Sequence, residues 1–338
     1  MHIEIMDTTL RDGEQTSGVS FSAYEKLSMA KILLQNVKVD RIEVASARVS
    51  KGEFECVQAI SQWAEKNDLL DRVEVLGFVD GKISVDWIAK AGARVINLLA
   101  KGSKRHVELQ LRKSPEQHLE DIKEVIAYAS SQNVDVNIYL EDWSNGMIHS
   151  PDYVHALVQG LIDTPIKRFM LPDTLGILNP DQAYDFCHQM VSRYPGLKFD
   201  FHAHNDYDLA AANVYSAVKA GVHGIHATVN GMGERAGNVP LSSVIGVIHD
   251  QLKLTTNIEE SSINKVSRIV ETYSGVRVPA NKPVIGEFVF TQTAGIHADG
   301  DSKDKLYYND LLPERFGRTR EYALGKTSGK ANIQKNLE

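Results

Sequence analysis

Short apolar runs return eight times along this chain, and stretches with helical spacing lie between them. The runs are IEIM (3–6), RIEVAS (41–46), VEVLGFV (73–79), RVINLLA (94–100), DVNIYLE (135–141), RFMLPDT (168–174), FDFHAH (199–204) and GIHATVN (224–230). Intervening segments such as SAYEKLSMAKILLQN and SPEQHLEDIKEVIAYASSQN place apolar residues at i, i+3, i+4 and i+7, one face of a helix. Eight strand-then-helix units in about 250 residues predict an α/β fold, a closed (β/α)8 TIM barrel. An open doubly wound sheet is the alternative, disfavoured because eight near-equal units fill one barrel with none left over. The pattern changes after residue 250. QLKLTTNIEESSINKVSRIVETYSG reads as an amphipathic helical stretch, and VRVPANKPVIGEFVFTQTAGIHADGDSKDKLYYNDLLPERFG is loop-rich and broken by Pro and Gly. The expected organisation is a barrel over 1–250 and, over 251–338, a linker with a small helical C-terminal appendage. The last helical pattern, in KTSGKANIQKNLE, meets no stop signal, as expected of a piece of something longer.

Composition narrows the partners. Hydrophobic residues are 43% and charged residues 24% of 338, a globular balance, and the net charge of -7 disfavours nucleic acid and acidic membrane surfaces. No apolar run is long enough to span a bilayer, and MHIEIMDTTL lacks the basic-then-apolar pattern of a signal peptide, so a cytoplasmic protein is expected. The two cysteines, Cys56 and Cys187, stand far apart in helix-like segments and read as buried packing residues.

Barrels of this kind carry their chemistry at the carboxyl ends of the strands. Several strand ends here hold polar residues that a core would not want. The first runs into DTTLRDGEQ, with Asp7, Arg11, Asp12 and Glu14; the fifth ends at Glu141 and Asp142; the sixth at Asp173 and Thr174. The seventh ends in His202 and His204, two apart and therefore on one face of the strand. Two imidazoles in register, facing acids from neighbouring strands, point to a metal. The ligand set read here is Asp12, His202 and His204, with Asn238 as a carbonyl-oxygen ligand. That set suits Mn²⁺, Zn²⁺, Fe²⁺ or Mg²⁺ and leaves positions open for a substrate to chelate. Such an ion polarises a carbonyl. Arg11 supplies a second positive centre for oxyanion charge, or else forms an ion pair with Glu14 or Glu43.

Two motifs are set aside. GMGERAG (231–237) resembles a dinucleotide loop but comes after the last barrel strand, with no acid-terminated strand about 20 residues on. GKTSGK (325–330) lacks the first glycine of a P-loop: Arg320 and Leu324 stand where it belongs.

DTTLRDGEQ, LPDTLG, HAHND, NGMGERAGN and TAGIHADG, in that order, resemble the 2-isopropylmalate, citramalate and homocitrate synthase family. SGVSFSAYEKL, VEVLGFVDG and YLEDWSNG look closest to its spirochaete-type citramalate and isopropylmalate synthases. The resemblance implies an acyltransferase: a Claisen-type condensation of acetyl-CoA with a 2-oxo acid, and then thioester hydrolysis. It carries over Asp12, His202 and His204 as metal ligands, with Asn238 near or on the metal, and Arg11 as the group polarising the keto oxygen. Thr174 is implied to contact the 2-oxo acid carboxylate, and Glu141 and His297 to move the acetyl methyl proton. His297 and Asp299 belong to the appendage, which in that family reaches the partner subunit's barrel. A homodimer with composite active sites is implied. Leu76, Leu99 and Tyr139 match the positions that line the side-chain pocket of citramalate synthases. An apolar wall suits 2-oxoisovalerate or pyruvate and gives nothing to meet a second carboxylate. The narrow preference is 2-isopropylmalate synthase, of leucine biosynthesis, ahead of (R)-citramalate synthase, of isoleucine biosynthesis. A hydroxyacyl-CoA lyase of the same barrel set is a remote third, since NGMGERAGN has no cysteine. The family's C-terminal regulatory domain is not expected within 251–338.

Overall fold

Residues 1–337 are described by a computed structural model. Eight parallel strands pair in chain order: β1 (Glu4–Asp7), β2 (Arg41–Ser46), β3 (Val73–Phe78), β4 (Val95–Lys101), β5 (Asp135–Glu141), β6 (Ile166–Asp173), β7 (Phe199–Ala203) and β8 (Gly224–Ala227). β8 closes on β1, with Glu4 opposite Gly224 and Asp7 opposite Ala227, so the expected barrel is present. Helices join the strands, and their starts are written locally. Ser22 with Glu25, Ser114 with Gln117 and Asn179 with Gln182 form reciprocal caps on the helices Ala23–Lys31, Pro115–Ser131 and Pro180–Arg193.

Each strand has two faces of opposite character. Ile42 and Val44, Val75, Ile96 and Leu98, Ile138 and Leu140, Phe169 and Leu171, and Phe199 and Phe201 join one large core that the helices cover. Inside the barrel, Met6, Leu76, Tyr139 and Met170 form a small separate apolar layer with Leu99 packed on it. Nearer the amino ends of the strands the interior is charged. Arg41 bonds Glu74 at 2.9 Å and Asp200 at 2.5 Å; Arg168 bonds Asp200 at 2.8 Å and Glu4 at 2.6 Å. Asn97 donates to Glu43 at 2.8 Å, and Asn137 donates to Asn97 at 2.9 Å. The Tyr139 hydroxyl meets His226 Nδ1 at 3.1 Å, and His226 Nε2 lies 3.4 Å from Asp200. Buried charges survive only when paired in this way. Burial alone would raise the Asp200 carboxyl, but Arg41, His226 and Arg168 hold it well below the usual range. Burial pulls His226 down to about 3, so the ring is neutral.

The stretch after the barrel departs from the helical reading. Residues 252–259 are not helical: the Thr255 carbonyl accepts from Ile3 N at 2.9 Å, tying the segment to the start of β1. The helix runs over Ile263–Ser274 and buries Ile263, Val266 and Val270. Phe316 is fully buried and stacks on Phe290, while Arg315 clasps Glu260 and Asp250. Beyond this anchor two short parallel strands, β9 (Thr291–Gln292) and β10 (Glu321–Tyr322), are flanked by the helices Gly295–Asp301 and Lys330–Leu337. This part leaves Ile296, Leu306 and Leu324 each more than 60% exposed. Cys56 and Cys187 are buried and free, as expected. Among the described residues no helix is long and apolar enough to cross a membrane.

Candidate active and metal site

After β1 the chain turns tightly: the Thr8 carbonyl accepts from the backbone N–H of Arg11, Asp12 and Gly13. This turn buries Asp12, which is 1% exposed, against the two histidines of β7. His202 Nε2 lies 3.1 Å from Asp12 Oδ2 and 3.4 Å from His204 Nε2, and His204 Nε2 lies 3.8 Å from Asp12 Oδ2. Two ligand atoms held about 2.1 Å from one ion sit roughly 3 to 3.5 Å apart, so the triangle fits a metal. Asp12, His202 and His204 are the one such His/Cys/Asp/Glu group found among the described residues.

Asn238 is 2% exposed and bridges to His204 across the mouth. Its Nδ2 donates to the Met232 carbonyl at 3.0 Å, which leaves Oδ1 buried without a hydrogen-bond partner, as Asp12 Oδ2 is too. Orphaned buried oxygens beside two imidazoles are what an absent cation would satisfy. Burial alone would raise the Asp12 carboxyl, but Arg11 and the histidines hold it well below the usual range. Burial and the neighbouring His202 draw His204 down to about 4. The set therefore meets a cation as an ionised carboxylate with a neutral imidazole at His204. The glycines of NGMGERAGN serve this geometry. Gly231, Gly233 and Gly237 all have positive φ, and a Cβ on Gly237 would collide with the Gly231 carbonyl oxygen. They fold the loop back so that Asn238 reaches His204.

Arg11 has the ion-pair partner that its sequence left open: Nε is bonded to Glu43, while Glu14 pairs instead with Lys26 at 2.6 Å. Its remaining guanidinium nitrogens lie 3.6 Å from Asp12 and 3.4 Å from the Tyr139 hydroxyl. Burial, then Glu43, pushes the Tyr139 phenol well above its ordinary value, so it stays protonated. Glu141 is ion-paired with Lys101, its direct register neighbour across β4 and β5. Thr174 Oγ1 accepts from Asp142 N at 2.9 Å, which fixes its hydroxyl. Asp173 does not face the mouth; its two oxygens accept from Ile177 and Leu178 N at 3.0 Å and cap the next turn.

Arg11, Asp12, Leu76, Leu99, Tyr139, Glu141, Thr174, His202 and His204 all line one cavity of about 220 Å³ at the carboxyl ends of the strands. Gln15, Ser46, Phe78, Pro172 and Glu234 complete the wall. His297 and Asp299 are not in it: His297 Nδ1 sits 3.0 Å from Gln292 Oε1, with its ring on Tyr307, and Asp299 pairs with Lys303. Sequence reasoning named Glu43 only as a partner for Arg11 and missed the other residues behind the wall, chiefly Asn97, Lys101 and His226. Their signal was present: Arg41 and Glu43, Asn97 and Lys101, Asn137 with Tyr139 and Glu141 recur at period two. A larger groove of about 490 Å³, along residues 242–251 and 309–311, shares no residue with this site.

The chain matches the HMGL-like family over residues 2–270 and the homocitrate synthase post-HMGL domain-like family over residues 284–338. It is 34% identical over 337 residues to a putative (R)-citramalate synthase of Methanopyrus kandleri, covering 99% of this chain and 64% of that protein. A probable 2-isopropylmalate synthase of Ignicoccus hospitalis is 33% identical over 336 residues, 99% of this chain and 82% of its own length. A homocitrate synthase of Sulfurisphaera tokodaii is 35% identical over 342 residues, 100% of this chain and 72% of its own. This chain thus spans less than two thirds of the Methanopyrus protein. Among solved structures, the HMG-CoA lyase of Bacillus subtilis superposes with a TM-score of 0.68 at 20% identity, over 85% of this chain and 98% of that one, a likeness of fold.

Proposed function

Because the chain belongs to the HMGL-like family, we propose that it is a metal-dependent acyltransferase that condenses acetyl-CoA with a 2-oxo acid and then hydrolyses the thioester. The observation that carries this reading is one small cavity whose wall joins Arg11, Glu141, Thr174 and a buried Asp–His–His cluster with Leu76, Leu99 and Tyr139. In the reaction, Glu141 takes a proton from the thioester methyl, whose carbon then bonds to the keto carbon. The electron pair of the broken C=O bond moves to oxygen, where the Arg11 guanidinium, tethered by Glu43, meets it. Thr174 holds the acid's carboxylate. Proton return gives a tertiary alcohol, and water cleaves the thioester to a carboxylate and free CoA thiol. A divalent ion on Asp12, His202 and His204, with Asn238 beside it, would supply Lewis acidity toward the chelated acid, and Mn²⁺, Zn²⁺ and Mg²⁺ all suit these donors.

His297 and Asp299 complete this scheme from a second copy. Their absence from the chain's own cavity and the exposed apolar residues beside them, Ile296 and Leu306, support a homodimer with shared sites. Arg11 is the only lysine or arginine on the cavity wall among the described residues, and it is engaged with Glu43. No cation is left for a second carboxylate, which argues against 2-oxoglutarate. The acid we propose is 2-oxoisovalerate, making the chain a 2-isopropylmalate synthase of leucine biosynthesis. Pyruvate, giving (R)-citramalate, is the second reading, favoured by the closeness of the wall: Leu76 and Tyr139 are 5% and 3% exposed and pack as one layer. A thiol-release assay with acetyl-CoA and each of 2-oxoisovalerate, pyruvate and 2-oxoglutarate tests this. Greatest kcat/KM with 2-oxoisovalerate is expected; a preference for pyruvate moves the assignment to the second reading, and no release with any acid defeats both.

A further inference from the structure

Three polar side chains converge on the Tyr139 hydroxyl. His226 Nδ1 is nearest at 3.1 Å, Arg11 Nη2 lies at 3.4 Å and Glu43 Oε2 at 3.5 Å. A phenol has one proton to give, so the neighbour that receives it decides what the oxygen offers the others. His226, on β8, is 1% exposed and does not line the reaction cavity, and no step of the condensation uses it.

The direction follows from the protons available. Asp200, bonded by Arg41 and Arg168, stays ionised and can only accept. It lies 3.4 Å from His226 Nε2, so that nitrogen carries the ring's proton. Burial keeps the ring neutral, with a single N–H. His226 Nδ1 is then a bare acceptor, and the Tyr139 O–H donates to it. Both Glu43 oxygens are already engaged, Oε1 by Asn97 and Oε2 by Arg11 Nε. The Tyr139 oxygen therefore turns lone pairs to Arg11 Nη2, and donation runs one way from Arg11 through Tyr139 and His226 to Asp200. Glu43 holds the guanidinium at Nε and Tyr139 holds it at Nη2. Nη1 is the nitrogen left 3.6 Å from Asp12, beside the candidate metal triad.

We infer that His226 is a positioning residue: by accepting the Tyr139 O–H it fixes the phenol oxygen as an acceptor, which orients the Arg11 guanidinium at the cavity wall. The inference rests on the condensation reading above, in which Arg11 meets the developing oxyanion. Tyr139 then offers the 2-oxo acid no donor, because its one proton faces away into the barrel. Without an acceptor at position 226 the phenol proton turns to Glu43 and competes there with Arg11 Nε. The guanidinium is loosened at both holds. A charge displaced from a forming oxyanion lowers turnover more than ground-state binding.

Four variants and one spectrum of the full chain test it. His226→Phe keeps a ring and removes both nitrogens; His226→Asn puts an amide oxygen where Nδ1 stood; Tyr139→Phe removes the hydroxyl; the fourth joins Tyr139→Phe to His226→Phe. His226→Phe is expected to lower kcat about ten- to a hundredfold, with the KM of the 2-oxo acid within about twofold of wild type. His226→Asn should restore most of that loss. In the Tyr139→Phe background, His226→Phe should cost less than about twofold more, because its target is gone. Melting temperatures check that each variant folds. The tautomer is read separately by nitrogen NMR on histidine-labelled wild type, the His226 signal being the one that His226→Asn removes. A proton on Nε2 and none on Nδ1 is expected, and this reading decides even where His226→Phe does not fold. A proton on Nδ1, losses that multiply in the double variant, or a change in KM alone would each overturn the inference. Wild-type protein that releases no thiol with any acid would instead defeat the condensation reading, while the tautomer stands or falls by its own spectrum.

Discussion

Asp12 and Asp7 sit five residues apart and are buried to the same degree, yet their surroundings drive them in opposite directions. Asp12 faces Arg11 and two imidazoles and stays ionised. Asp7 has its Oδ1 on Thr9 N at 2.9 Å and its Oδ2 unpartnered, and burial pushes it up to about 7. Asp12→Ala and His202→Ala should each lose bound metal by elemental analysis while the far-ultraviolet circular dichroism of the wild type is kept; full metal occupancy in both would remove the ligand assignment. For Asp7 the sign runs the other way from that of a paired acid. Below pH 3.8 both folded and unfolded states hold a neutral acid; as pH rises toward about 7 only the unfolded state ionises freely, so native stability is lost across that window. Asp7→Asn escapes this loss and should gain on wild type by up to about 1.4 kcal/mol for each pH unit crossed. Melting temperatures of both proteins from pH 4.5 to 8 check it, and a gap that does not widen with pH counts against the raised carboxyl.

At the scale of the strand, what could be read depended on which face was apolar. The outward residues of β2 to β7 are large and aliphatic or aromatic, so every strand was visible as a run, and the count of eight gave the closed barrel. The histidine pair was visible because two imidazoles at i and i+2 have few other uses. The inward residues behind them were not, because a polar residue at every second position also describes a half-solvated strand. Only closure makes Arg41, Glu43, Glu74 and Asp200 interior. The helix expected from residue 251 failed for a related reason: an amphipathic spacing over residues 252–259 was overridden by pairing with the start of β1, a contact no local pattern announces. The interior charges carry an expectation of their own. Asp200→Asn leaves Arg41 and Arg168 without their shared carboxylate and should cost about 3–5 kcal/mol, read as a lower urea midpoint at unchanged slope. A loss below about 1 kcal/mol would show that solvent or rearrangement replaces that partner.

At the scale of the whole molecule, the proposed sharing of His297 predicts recovery on mixing. His297→Ala and Asp12→Ala homodimers should each be inactive. After subunit exchange, a mixed dimer has one site with both lesions and one with neither, so up to about a quarter of wild-type activity should return in an equal mixture if pairing is random. Demonstrated exchange with no return would place His297 outside the reaction. The interior of the barrel sets a different limit, one felt by anyone who would splice it. Arg41 meets Asp200 across 159 residues of chain, and Arg168 meets Glu4 across 164. Each half of the barrel therefore holds counter-ions whose mates are encoded in the other half. A chimera that joins the first four units of this protein to the last four of a relative keeps these pairs only where the relative supplies an acid in place of Asp200 and an arginine in place of Arg168, however well its outer helices fit. Recombination can trade the loops and the helices piecemeal, but the inner lining has to bring matching charges from both halves.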